Sequence, residues 1–183
     1  MEKTEEGKTE KWIIKALLEL MDEKEYGDIT ITEITKRAQL GRRTFYRYYK
    51  SKDQVLEHIC NVLMQEFAER CMKKAGQMYS LSSVTIAYFE LWEEHIEFLN
   101  LLKQQHLLYF IQERIEVFVH NAAIMAGHVP QDDKFDKKVY GSAWYEYIFK
   151  IAGFWRLTTE WCDEEPRKTP GEMAAIVVSI IEG

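Results

Sequence analysis

Apolar residues recur at three- and four-residue steps along nearly the whole chain, a helical rather than a strand-like rhythm. Ile13, Leu17, Leu20 and Met21 predict a first helix from about Thr9 to Glu25, with Gly27 as its C-terminal stop. Thr30 and Glu33 have capping-box spacing and open a short second helix that turns Ile34 and Ala38 inward. Gln39-Leu40-Gly41 is a tight connection to a third short helix, Arg42 to Tyr48. Ser51 and Gln54 carry another capping signature, which starts a long helix from Lys52 to about Ala75. Further helices are predicted over roughly 82–102, 105–126, 133–160 and 170–182. The last has a strong start, with Thr169 as cap, Pro170 in the first turn and Glu172 completing the box. Ile29 to Ile31 is apolar but too short to stand as a strand. The expected fold is all-α: a three-helix N-terminal helix-turn-helix domain, residues 1–51, followed by a helical bundle, residues 52–183.

Composition supports this reading. Three prolines and nine glycines interrupt 183 residues, and 46% of the chain is apolar, enough for a core without covalent staples. The cysteines are Cys60, Cys71 and Cys162. Cys60 and Cys71 fall on one face of one helix about 16 Å apart, too far to pair within it. The sparse, odd count fits a reducing compartment. The first twelve residues are charged and lack an apolar signal core, and no run of 18 apolar residues occurs. A cytoplasmic location away from membranes is therefore expected.

The net charge is -6, but it is unevenly distributed. Residues 1–52 hold twelve Lys/Arg and ten Asp/Glu, whereas the remainder holds twelve and twenty. Lys36 through Lys52 contains seven basic residues and no acid. A basic stripe on an acidic protein is the electrostatic footprint of a nucleic-acid contact. The third helix, RRTFYRYY, sits inside it. Arginines can meet guanine edges with two hydrogen bonds, and threonine and tyrosine hydroxyls can donate to phosphates. Lys52 starts the next helix, where free backbone amides also favour phosphate.

The segment YGDITITEITKRAQLGRRTFYRYYKSKDQVL resembles the DNA-binding signature of the TetR family. Thr30, Ile31, Ile34, Ala38, Thr44, Phe45, Tyr46, Tyr49, Lys52 and Leu56 occupy the signature places. Three positions depart from it: Gln39 stands at the usual turn glycine, Gly41 at the usual serine cap, and Thr35 at a common alanine. The resemblance implies that the third helix enters the major groove. Arg42 and Arg43 are then the base readers. Thr44, Tyr46, Tyr48 and Lys52 are the phosphate contacts, and Thr32 on the second helix also reaches DNA. Phe45 is expected in the core.

The same resemblance implies a homodimer formed through the last two helices, and a small hydrophobic effector held among the central helices. Its partner is double-stranded operator DNA, its action a repressor's, and it needs no cofactor or metal. Tyr140, Ala143, Trp144, Tyr147, Ile148, Ile151 and Phe154, joined on the last helix by Met173, Ala174, Ile176, Val177 and Ile180, would form the apolar dimer face. Tyr88, Phe89, Trp92, Phe98, Tyr109, Phe110, Phe118, Trp144 and Trp155 supply either pocket or core. An enzyme is the competing class. The chain has no glycine-rich phosphate loop, no Gly-x-Ser-x-Gly elbow and no His-Glu-x-x-His motif. The histidines at 58, 95, 106, 120 and 128 include no i, i+4 pair. The stretch GFWRLTTEWCDEEPRKTPGEMAAIV also resembles a subgroup some of whose members pair with dihydroxyacetone-kinase-like subunits, which makes control by a protein partner the alternative.

Overall fold

The structure is a computed structural model and describes residues 2–74, 80–125 and 141–182. Among the described residues there are nine α-helices and no strand. They are α1 (Glu2–Glu23), α2 (Ile31–Arg37), α3 (Arg42–Tyr48), α4 (Lys52–Lys74), α5 (Leu81–Glu94), α6 (Ile96–Gln104), α7 (Tyr109–Met125), α8 (Ser142–Asp163) and α9 (Pro170–Glu182). The all-α expectation holds, and no described helix is long and apolar enough to cross a membrane.

Several boundaries differ from the periodicity, beginning with α1, which starts at Glu2 rather than near Thr9. The stretch 82–102 is two helices, because α5 ends at Glu94 and His95 leaves helical geometry (φ -112, ψ 26) before α6 begins. Both helices bury residues at helical steps, so the pattern runs through the break unseen. The segment expected to start a helix near 105 instead holds His106 at φ 58, and α7 begins at Tyr109. The beginning of the helix expected from 133 lies outside the described residues; the described part starts at Ser142.

The chain forms two compact units, 1–63 with 101–110, and 64–100 with 111–183. In the first, Ile13, Ala16, Leu17, Leu20 and Met21 line one face of α1 and are buried. Ile29, Ile34, Phe45, Tyr49, Val55 and Leu56 complete the core. Burying such a side chain fully contributes about 1.5–3 kcal/mol. A 3-10 turn at Tyr26–Asp28 follows α1, so Gly27 lies inside that turn rather than capping the helix directly.

The α2–α3 connection closes as a Schellman motif. The amide of Leu40 donates to Thr35 O (2.9 Å) and that of Gln39 to Lys36 O (3.2 Å). Gln39 takes the left-handed position at φ 56, where the family signature has glycine. That conformation costs a non-glycine residue roughly 1–2 kcal/mol. The α6 end repeats the device with His106: Leu107 N donates to Leu102 O (2.8 Å) and His106 N to Lys103 O (3.2 Å).

In the second unit, α9 packs along α5. Its centre is aromatic: Tyr88, Phe89, Trp92, Phe154 and Trp161 form edge-on and tilted ring pairs, from Tyr88–Phe154 at 4.7 Å to Tyr88–Trp92 at 6.2 Å. Buried Tyr88 shares a 3.2 Å hydrogen bond with Thr158, whose hydroxyl donates to Phe154 O (3.0 Å). The Trp161 indole donates to Lys168 O (2.7 Å) and so closes the turn into α9. The three cysteines are buried, and no disulfide joins them.

The expected dimer face needs correction at Phe154 on α8 and on α9, where Met173, Ala174 and Val177 are buried within the chain's own second unit. The side chains of Tyr140, Ala143, Trp144 and Tyr147 lie outside what the structure describes. Phe154 points into the aromatic core rather than outward. The outward stripe is Tyr145, Ile148 and Phe149, continued by Ala152 and Gly153 one turn on, and Phe149 is 79% exposed.

Candidate nucleic-acid interface

The third helix sorts its side chains by periodicity. Phe45, with no exposure, and Tyr49, 4% exposed, face the core one helical turn apart, with ring centroids 6.1 Å from each other. Anchoring that face leaves Arg42, Arg43, Tyr46 and Arg47 exposed on the other. Thr44 and Tyr48 are half-buried at its edges. The Arg42 guanidinium lies 6.0 Å from the Tyr46 ring centroid, and that of Arg47 lies 5.0 Å from Tyr48. Both distances fall within cation–π range. Gly41 supplies no side-chain cap to α3, as its lack of a hydroxyl dictates.

The second helix supports this surface. Thr30 and Glu33 cap it reciprocally: Glu33 N donates to Thr30 Oγ1 (3.3 Å), and Thr30 N to Glu33 Oε2 (2.9 Å). The Lys24 ammonium donates to Glu33 at 2.6 Å. That bond, then those from Thr30, hold the Glu33 carboxyl down to about 2. Thr32 is exposed in the first turn of α2, and its carbonyl accepts from Thr35 Oγ1 (3.0 Å).

Not all seven basic residues of the stripe face solvent with free charge. Arg37 grips Glu23 through two hydrogen bonds, 2.9 and 2.7 Å, which tie the end of α2 to α1 and lower the Glu23 carboxyl. Lys52 directs its ammonium to the carbonyls of Tyr26 (2.5 Å), Gly27 (3.1 Å) and Ile29 (2.9 Å). Its loss of hydration lowers its pKa. Lys36, Arg42, Arg43, Arg47 and Lys50 remain exposed. The periodicity alone could not separate these two groups, because the anchoring partners come from α1 and the following turn.

Sequence reasoning missed the hub around Tyr26. Its hydroxyl donates to Asp53 (2.5 Å), and burial, followed by that carboxylate, pushes the phenol well above its ordinary range. Gln105, in the left-handed connection after α6, accepts from the Tyr26 amide (2.7 Å) and donates to Met21 O (2.6 Å) and Lys24 O (3.1 Å). It thereby satisfies carbonyls that the end of α1 leaves open. Tyr26-Gly27-Asp28 sits at the head of the signature, but nothing in the pattern marked Gln105.

Metal-ligand geometry occurs once among the described residues, at Glu66, Glu94 and His95, whose ligand atoms lie within 4.8 Å of one another. Arg70 already occupies it, bonded to Glu66 and twice to Glu94 (2.9 and 2.5 Å), so the charge a cation would neutralise is met by a guanidinium. An open groove of about 540 Å³ runs beside α1, lined by Trp12, Lys15, Ala16, Glu19, Arg37, Ala38 and Gln39. It is too open and charged for the apolar effector pocket that the sequence led us to expect. The exposed cationic and hydroxyl groups of α3 can donate to base edges and phosphates.

Comparison with known proteins points the same way. Residues 13–59 match the family described as bacterial regulatory proteins, tetR family. Over 61 residues the chain is 34% identical to the HTH-type dhaKLM operon transcriptional activator DhaS of Lactococcus lactis subsp. lactis (strain IL1403), a match taking in 33% of this chain. The matched stretch spans only 31% of that relative's length. A solved structure, the TetR transcriptional regulator from Streptococcus agalactiae 2603V, superposes with a TM-score of 0.65 at 20% identity, covering 98% of this chain and 97% of that one.

Proposed function

We propose that this chain, which carries a TetR-family DNA-binding domain at residues 13–59 and the fold of a TetR regulator, controls transcription by binding a near-palindromic operator as a homodimer. The observation that carries the reading is the division of α3: Phe45 and Tyr49 anchored, Arg42, Arg43, Tyr46 and Arg47 presented. In this reading Arg42 and Arg43, in the first turn of α3, read base edges. Thr44, Tyr46 and Tyr48 hold phosphates, and Thr32 extends the contact from α2.

The exposed stripe of Tyr145, Ile148 and Phe149 on α8 supports a second copy as partner, since an apolar row of this kind is what a homodimer covers. Dimerisation sets two α3 helices about 34–36 Å apart, one turn of B-DNA. The control is a repressor's, relieved by a small hydrophobic effector that binds one arrangement of the helices better than the other. The name of the Lactococcus relative, an activator of a dhaKLM operon, favours a second reading: activation governed by a protein partner such as a dihydroxyacetone-kinase-like subunit.

Selection from a pool of random duplexes with the purified protein tests the core of this. Recovery of an inverted repeat supports it, and recovery of no preferred sequence refutes it. A reporter placed behind the recovered site then separates repression from activation.

A further inference from the structure

Lys52 is the residue whose sequence-based role and observed surroundings differ most. An ammonium has three hydrogens to donate. Here three backbone carbonyls converge on it, those of Tyr26, Gly27 and Ile29, at 2.5, 3.1 and 2.9 Å. The same ammonium lies 4.5 Å from the centroid of the Tyr26 ring. Its neighbour Asp53 accepts the Tyr26 hydroxyl at 2.5 Å. Consecutive residues at the start of α4 therefore grip the backbone and the phenol of one tyrosine.

That tyrosine opens the turn between α1 and α2, while α4 continues from α3 after only Tyr49, Lys50 and Ser51. Fixing the start of α4 against the turn fixes the exit of α3 relative to α1 and α2. A phosphate reaching for Lys52 would compete with all three carbonyls at once. Lys36 and Lys50 are exposed on the same stripe and face no such competition.

We propose that Lys52 is a positioning residue that locks the start of α4 to the Tyr26–Asp28 turn and so sets how α3 is presented to DNA, without itself clamping a phosphate. This rests on the DNA-binding reading above and changes the role of one residue within it.

Two measurements decide it. In the first, the folded wild-type protein is acetylated with an amine-reactive reagent, free and with excess duplex DNA, and each lysine is followed by mass spectrometry. Lys52 is expected to react slowly in both states, with Lys36 and Lys50 as fast references in the free protein. A Lys52 that reacts as fast as these when free, and is protected only on DNA, overturns the proposal. This measurement needs no variant and stands if a substitution prevents folding.

In the second, Lys52→Met, which keeps the aliphatic stem, is titrated well below its melting temperature against the selected operator and a random duplex over a range of salt. The preference for operator is expected to fall about tenfold, comparable to losing one bidentate base contact, while the salt slope stays at the wild-type value. A slope lower by about one unit with preference intact identifies a phosphate clamp and overturns the proposal. A lower melting temperature with both preference and slope unchanged identifies a role in stability only, and overturns it too. A wild-type protein that selects no sequence is a different failure: it refutes the DNA-binding reading, and this assignment with it.

Discussion

Replacing Gln105 by Ala removes a side chain that ties the segment 101–110 to the end of α1 through three hydrogen bonds. The amide accepts from Tyr26 N at 2.7 Å and donates to Met21 O and Lys24 O at 2.6 and 3.1 Å. A net contribution of roughly 1 kcal/mol per bond gives an upper figure of about 3 kcal/mol. The site is half-buried, so water can take over part of the work at the two carbonyls. The Tyr26 amide belongs to a buried residue and is harder to rehydrate, and an unsatisfied buried donor costs about 1–3 kcal/mol. The expected net loss is about 2 kcal/mol. For a chain of this size that corresponds to a melting temperature lower by about 4–8 °C. Thermal unfolding followed by circular dichroism measures it. Gln105→Met serves as the control, because it restores the stem and not the hydrogen bonds. If Met at 105 recovered wild-type stability, or if Ala cost under about 1 °C, hydrogen bonding by Gln105 would not be what joins these segments.

Phe149→Asp places a charge on the exposed α8 stripe and is expected to give a monomer near 21.7 kDa by light scattering, with the fold retained by circular dichroism; a dimer that persists would move the interface elsewhere. Glu33→Gln is expected to flatten the acid limb of stability. The Glu33 carboxyl is held at about 2, so its contribution is present above pH ~4.5 and is lost as pH falls toward 2. The wild type is therefore expected to lose more melting temperature than the variant between pH 5 and 2.5, and equal losses would contradict the Lys24–Glu33–Thr30 arrangement. Tyr88→Phe is expected to cost about 1 kcal/mol near neutrality through its bond to Thr158. Because burial raises the Tyr88 phenol, the wild type is stable below its unfolded value near 10 and loses stability as pH rises beyond it, and the variant is expected to show a shallower alkaline loss.

What the sequence made legible was whatever is encoded locally. The Thr30–Glu33 and Thr169–Glu172 boxes form as their spacing requires, because both partners lie within one helical turn. The inward turn of Phe45, which the family resemblance implied, is borne out by its full burial. Where a side chain's partner comes from a distant segment, the pattern was silent. Arg37 and Lys52 looked like members of one basic stripe, yet Glu23 and the carbonyls after α1 claim them. Gln105 reads as an ordinary loop residue until residues 101–110 are seen to pack with the first unit. The break at His95 escaped because apolar spacing continues across it. Phe154 was misplaced on the α8 face because an apolar stripe broad enough to cover two faces does not say which one meets the core; the rings of Tyr88 and Phe89 decide that for it.

The central claim is that the first turn of α3 reads bases, and a salt-controlled titration of Arg42→Ala and Arg43→Ala against the selected operator and a scrambled duplex tests it most directly. Both side chains are exposed, so neither substitution is expected to disturb the fold. Each variant is expected to lose about 1–3 kcal/mol on the operator and much less on the scrambled duplex, so the ratio between the two falls. If both variants keep the wild-type ratio, weakening the two duplexes equally or not at all, α3 does not read sequence through its first turn and the account is wrong at its centre.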